Sequence, residues 1–132
     1  TLREFAEAEK IQLEVDKSYP LEEFVQAALS ESVSRCNYCY KVRMEKTAQF
    51  ASEHGYDAFS STLLGSVYQK HEDIKSLAEQ AAVKHGVEFR YYDFREGFFE
   101  GQETAKAREM YRQGYCGCVF SERDRYEKRK KV

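Results

Sequence analysis

Cys36-Asn37-Tyr38-Cys39 and Cys116-Gly117-Cys118 hold every cysteine of the 132-residue chain. Two thiols three positions apart can face one metal ion, and so can two separated by a single glycine. Four thiolates drawn from distant segments match the ligand set of structural zinc or of an iron–sulfur cluster. Disulfides would need an oxidising compartment, and tight pairs in a helix-rich, basic setting favour metal or redox use. A zinc ribbon presents two Cys-x-x-Cys knuckles on short hairpins. Here the second pair is Cys-x-Cys and helical segments separate the two, which weakens the ribbon reading and leaves a structural zinc open. A thioredoxin-like site uses one Cys-x-x-Cys and leaves Cys116 and Cys118 unexplained. Iron–sulfur ligation tolerates irregular spacing and employs all four.

Charge is distributed unevenly around these pairs. The chain carries a net charge of −2, with 33% charged and 14% aromatic residues. Residues 1–31 are acidic overall, whereas Arg35, Lys41, Arg43 and Lys46 flank the first pair with Glu45 as the one acid among residues 35–46. Arg123, Arg125, Lys128, Arg129, Lys130 and Lys131 follow the second pair, interleaved with Glu122, Asp124 and Glu127. Basic charge beside both thiol pairs would steer an anionic partner there. Arg43, Lys46, Arg123, Arg125, Lys128, Arg129 and Lys130 are the candidates for phosphate contacts, against the plainer reading of a solvated helical tail. No apolar run reaches membrane-spanning length and no signal-peptide pattern is read at the start, so the expectation is a cytoplasmic protein without a membrane partner.

The elements that must position the thiols can be read from periodicity. A helix is predicted to about Lys10, then a strand at Ile11–Val15. Pro20 suits the first turn of a helix whose apolar face is Leu21, Phe24, Val25, Ala28 and Leu29. The first thiol pair opens a helix carrying Tyr40, Met44, Thr47, Ala48 and Ala51 on one side, ended by Gly55. Ala58–Leu63 reads as a short buried strand. Ile74, Leu77, Ala78 and Ala81 mark another helix, stopped by Gly86, and Glu88–Tyr92 reads as a strand. A last helical pattern covers about Phe99 to Tyr111. Helix–glycine–strand, twice repeated, predicts an α/β fold: a three-layer sandwich with a mainly parallel sheet, followed by a helical C-terminal segment carrying Cys-Gly-Cys. The length suits one domain. In such sheets ligands bind beyond the carboxyl ends of the strands. Ser60-Ser61-Thr62 and Asp93-Phe94-Arg95 fall there, with turn and helix capping as the plainer role of the hydroxyls and pairing with Arg95 as that of Asp93. His54, His71 and His85 read as structural, two of them preceding helix-ending glycines.

At this point the residues resemble a known family. Arg35-Cys36-Asn37-Tyr38-Cys39-Tyr40-Lys41-Val42-Arg43-Met44-Glu45-Lys46-Thr47-Ala48 resembles the Arg-Cys-x-x-Cys-Tyr-x-x-Arg-Leu-x-x-Thr-Ala motif of the cobalamin-independent epoxyqueuosine reductases of the QueH type. Ser60-Ser61-Thr62-Leu63-Leu64, Tyr68-Gln69-Lys70-His71-Glu72 and Asp93-Phe94-Arg95-Glu96-Gly97-Phe98 are similar to further family stretches, in the same order. Tyr111-Arg112-Gln113-Gly114-Tyr115-Cys116-Gly117-Cys118-Val119-Phe120-Ser121 resembles its Tyr-x-Gln-x-Tyr-Cys-Gly-Cys-x-Phe-Ser closely. Glu96 and Val67 depart from the family preference, away from the thiols.

The resemblance implies helices around a parallel sheet and reduction of the epoxide of epoxyqueuosine to the alkene of queuosine, at the wobble position of certain tRNAs. It implies a 4Fe-4S cluster with an adjacent iron, for which Cys36, Cys39, Cys116 and Cys118 inherit ligand roles, with zinc as the alternative occupant. An electron donor is required as a further partner. Protons could come from a tyrosine, from Asp93 or from bound water. Asp93 is the candidate catalytic residue. The family opens with a strand ending in Cys-Cys-x-Pro-Cys that this chain lacks, and Thr1 stands before a helix without a cap. The expectation is therefore a single catalytic domain over residues 1–132, incomplete at its N-terminus and deficient in turnover by itself. The competing class is a zinc-stabilised module that binds RNA and catalyses nothing.

Overall fold

The computed structural model describes residues 1–18, 20–30 and 34–130, with side chains to residue 127. Along them run α1 (Leu2–Ala8), α2 (Leu21–Ala28), α3 (Arg35–Glu53), β1 (Ala58–Phe59), α4 (His71–His85), β2 (Glu88–Phe89), α5 (Phe98–Ala107) and α6 (Val119–Lys130). Single 3₁₀ turns lie at Thr62–Gly65 and Arg95–Gly97. The chain divides into two compact units, one of residues 15–98 and one of residues 1–14 with the chain from Phe99 onward.

The larger unit is built on α3 and α4. Ser34 caps α3, its hydroxyl accepting the Asn37 amide at 3.1 Å, which satisfies one orphan donor of the first turn. Tyr40, Met44, Ala48 and Ala51 then fall on one face and are buried. Thr47, expected on that face, is exposed and donates to the Arg43 carbonyl at 2.8 Å. From α4 come Ile74, Ala78 and Ala81, and Phe59 and Leu64 complete the core. Ala48 and Ala78 are fully buried, and their small side chains let the two helices approach closely. Met44, Leu64 and Ile74 are the largest fully buried side chains, each stabilising the unit by roughly 1.5–3 kcal/mol. Gly55 and Gly86 follow α3 and α4 with φ of 74° and 68°, a conformation in which a Cβ is strained. On α2, Phe24 and Val25 are half-buried while Leu21 and Leu29 are exposed.

The predicted three-layer sandwich with a mainly parallel sheet does not form. Among the described residues the only sheet has two strands of two residues each. They pair in parallel, Ala58 opposite Glu88 and Phe59 opposite Phe89, with α4 as the crossover, and the molecule is mostly helical. The reasons are local. Ser61 accepts the Leu63 amide at 3.1 Å and starts the 3₁₀ turn, so the segment 58–63 leaves the ladder after two residues. The chain beyond Phe89 diverges likewise, with Tyr91 and Tyr92 exposed. The strand expected at Ile11–Val15 is absent. Lys10 turns the chain at φ 56°, the Ile11 amide closes back on the Ala6 carbonyl at 2.8 Å, and Ile11 and Val15 are about half exposed. An apolar alternation without a partner strand has no ladder to join.

In the smaller unit, Ala6 of α1 is buried. The Arg108 guanidinium lies 5.0 Å from the Phe5 ring centroid and pairs with Glu9 at 3.1 Å. Among the described residues no helix is long and apolar enough to cross a membrane.

Candidate metal centre and substrate site

Cys36 and Cys39 occupy the first turn of α3, three positions apart and so on one side of the helix. Both are half-buried, and Cys36 packs against the core. Cys118 offers its carbonyl to the Glu122 amide at 2.9 Å and so opens α6. The Cys116 amide donates to Ser121 Oγ at 3.4 Å. Between these two, Gly117 has φ 100°, which folds the pair into a tight turn and suits only glycine. Both thiol pairs therefore stand at the amino ends of helices. No disulfide joins any of the four.

The pairs belong to different units, Cys36 and Cys39 to one and Cys116 and Cys118 to the other. Among the described residues no group of three or more His, Cys, Asp or Glu could hold a metal ion. The donor chemistry fits zinc or iron–sulfur in kind: soft sulfur ligands, two per unit, each pair spaced to share one metal centre. Asn37, inside the first pair, carries a buried Oδ1 without a hydrogen-bond partner.

Of the candidate phosphate-binding residues, Arg43 on α3 is exposed and has no acidic partner among the described residues. Lys46 is engaged: its ammonium donates to Asp16 at 2.7 Å and to Ser18 at 3.3 Å, and the Lys46 hydrogen bond holds the Asp16 carboxyl well below the usual range. Arg123 is compensated by Asp124 at 3.0 Å and Glu127 at 3.8 Å and lies 5.5 Å from the Phe120 ring. Arg125 is exposed, with no acidic partner among the described residues. The side chains of Lys128, Arg129 and Lys130 lie outside the described residues.

The loops beyond β1 and β2 meet, the Phe94 amide donating to the Leu64 carbonyl at 3.3 Å. They border an open surface pocket of about 490 Å³ lined by Ser60, Ser61, Thr62, Gly65 and Phe94. Asp93 binds Arg95 twice through side chains, at 2.8 and 2.6 Å, and once through the Arg95 amide at 3.1 Å. The hydrogen bond from the guanidinium is the largest cause holding the Asp93 carboxyl far below its ordinary value. The phenol of Tyr115, adjoining Cys116, is shifted the other way: the charge of Glu122, then burial, pushes it up.

A profile described as "Epoxyqueuosine reductase QueH" matches residues 1–124. The chain belongs to the QueH family. Relatives named epoxyqueuosine reductase QueH include that of Dehalococcoides mccartyi, 38% identical over 117 residues, covering 89% of this chain and 64% of the relative. That of Thermotoga maritima is 39% identical over 106 residues, covering 79% and 55%. That of Acinetobacter baylyi is 37% identical over 94 residues, covering 68% and 43%. This QueH-family chain therefore spans less than two thirds of the length of these relatives.

Several interactions of this QueH chain escape sequence reading. Tyr40 donates to Gln69 Oε1 at 2.6 Å and accepts the Lys70 amide at 3.2 Å. His71, read as merely structural, is 6% exposed, with Nδ1 3.4 Å from the Tyr91 hydroxyl and Nε2 without a partner. A buried tyrosine requires a polar partner for its hydroxyl, but spacing cannot name it. Gly65 and the Phe94 ring as pocket walls carried no signal beyond their places near the strand ends.

Proposed function

We propose that this chain reduces epoxyqueuosine to queuosine at the wobble position of tRNA, the last step of queuosine biosynthesis, in the cytoplasm. Membership of the QueH family over residues 1–124 carries this reading, and the paired thiols at two helix starts support its chemistry. Cys36, Cys39, Cys116 and Cys118 would hold an iron–sulfur centre. When bound, a 4Fe-4S cluster with an adjacent iron supplies single electrons from an external donor and a Lewis acid for the epoxide oxygen.

Opening the epoxide to an alkene consumes two electrons and two protons and releases the oxygen as water. A tyrosine or bound water would supply the protons. Asp93 serves as a charged acceptor that grips a substrate hydroxyl, fixed in place by Arg95. Arg43, and with it Lys46, Arg123, Arg125, Lys128, Arg129 and Lys130, supply the phosphate contacts.

The test is anaerobic purification of the full chain, with iron, sulfide and zinc assayed per chain and nucleosides from reacted tRNA separated by mass. Iron and sulfide that fall in each of Cys36→Ser, Cys39→Ser, Cys116→Ser and Cys118→Ser are expected. Full iron occupancy in both Cys36→Ser and Cys118→Ser would refute a shared centre. One zinc per chain with RNA binding and no epoxide reduction would establish the non-catalytic module instead.

A further inference from the structure

Resting on that reading, we infer that the pocket between the loops following β1 and β2 receives the unpaired wobble base itself, with the Phe94 ring as its stacking face. The pocket has the size of a small-ligand site, about 490 Å³ against roughly 300–1,000 Å³ for such sites. Its lining residues carry no charge, and the surface that Ser60, Ser61, Thr62, Gly65 and Phe94 turn to it is mostly apolar. An uncharged, mostly apolar surface with a ring suits the face of a neutral planar heterocycle and gives a phosphate no countercharge. Phe94 is 50% exposed, and its ring is in tilted contact with that of Tyr92, centroids 5.5 Å apart. An aromatic ring held at that exposure offers a face to a base.

Ser60 adds a second observation. It lines the pocket, and its buried Oγ has no hydrogen-bond partner. A buried hydroxyl left unpaired is costly in the free protein, and an edge of a base entering the pocket can pair it after rotation about one bond. Ser61 is committed to the Leu63 amide, so Ser60 and Thr62 are the hydroxyls left to read the ligand. A base in a duplex cannot enter such a pocket, whereas a loop base can be splayed out and stacked on an aromatic side chain.

The experiment uses the full chain and two anticodon stem-loop RNAs, one with guanine and one abasic at the wobble position, with affinity measured by fluorescence anisotropy. Guanine stands in for the modified base. Loss of one base stack corresponds to about 5- to 150-fold in affinity. The wild type should prefer the guanine RNA to the abasic one by a factor in that range. Phe94→Ala should weaken binding of the guanine RNA by a similar factor and leave the abasic RNA unchanged. Ser60→Ala should cost about 2- to 12-fold on the guanine RNA alone, while its urea midpoint stays level or rises, since an unpaired buried hydroxyl has been removed. If the wild type binds both RNAs equally, or both variants keep its full preference, the pocket assignment is wrong while tRNA binding stands. If the wild type binds neither RNA, the tRNA reading falls with it.

Discussion

Tyr40→Phe tests the junction between the thiol-bearing helix and the loop entering α4. Tyr40 is 3% exposed and stands one turn beyond Cys36 on the same face of α3. Removing its hydroxyl leaves Gln69 Oε1 without its 2.6 Å donor and the Lys70 amide without its 3.2 Å acceptor. Each such bond contributes about 0.5–1.5 kcal/mol net. Both are only part-buried, so water can replace some of the loss, and about 1–2 kcal/mol is the expected cost. Tyr40→Ala also removes the ring and should cost about 3–5 kcal/mol. Urea unfolding followed by circular dichroism measures both, with the slope on denaturant unchanged for Tyr40→Phe. Combining Tyr40→Phe with Gln69→Ala should reveal a coupling above about 0.5 kcal/mol. A Tyr40→Phe chain within about 0.3 kcal/mol of wild type, with no coupling to Gln69, would refute the bridge as a source of stability.

Arg43→Ala should weaken binding of an anticodon stem-loop across sequences and lower the salt slope by about one, whereas Lys46→Ala should do less, because Asp16 already engages that ammonium. Equal losses in a salt titration would contradict this ranking. Asp93 titrates in the folded chain below its ordinary 3.8, so its pairing stabilises fully above that pH, and the gain is lost as pH falls from there toward the depressed folded value. Arg95→Gln should therefore flatten the decline in urea midpoint between about pH 4 and pH 2, and an unchanged decline would assign the acid sensitivity elsewhere.

Helices were legible because their signals are short-range. Tyr40, Met44, Ala48 and Ala51 repeat at helical spacing, and Gly55 and Gly86 mark the ends. The sheet was overread because segments such as Ala58–Leu63 satisfy a strand and a 3₁₀ turn equally, and the choice rested on one serine side chain. Ile11–Val15 alternates correctly, yet a strand is a property of a pair. At the candidate site, the thiol pairs, the hydroxyls of 60–62 and the Asp93–Arg95 segment stood out by type. The part played by Phe94, the link from Tyr40 to Gln69 and the neutralisation of Lys46 by Asp16 join positions some 30 residues apart, and no local pattern encodes such meetings.

The smaller unit is discontinuous in the chain, its two segments enclosing residues 15–98. During synthesis, Cys39 leaves the ribosome well before Cys116, by about 4–15 s at typical elongation rates. The α3–α4 core is complete once Phe89 has emerged, whereas the other unit must wait for α5 and α6. The early thiol pair thus belongs to a unit that can fold seconds before the later pair exists, and over that interval Cys36 and Cys39 meet the metals available in the cell without Cys116 and Cys118.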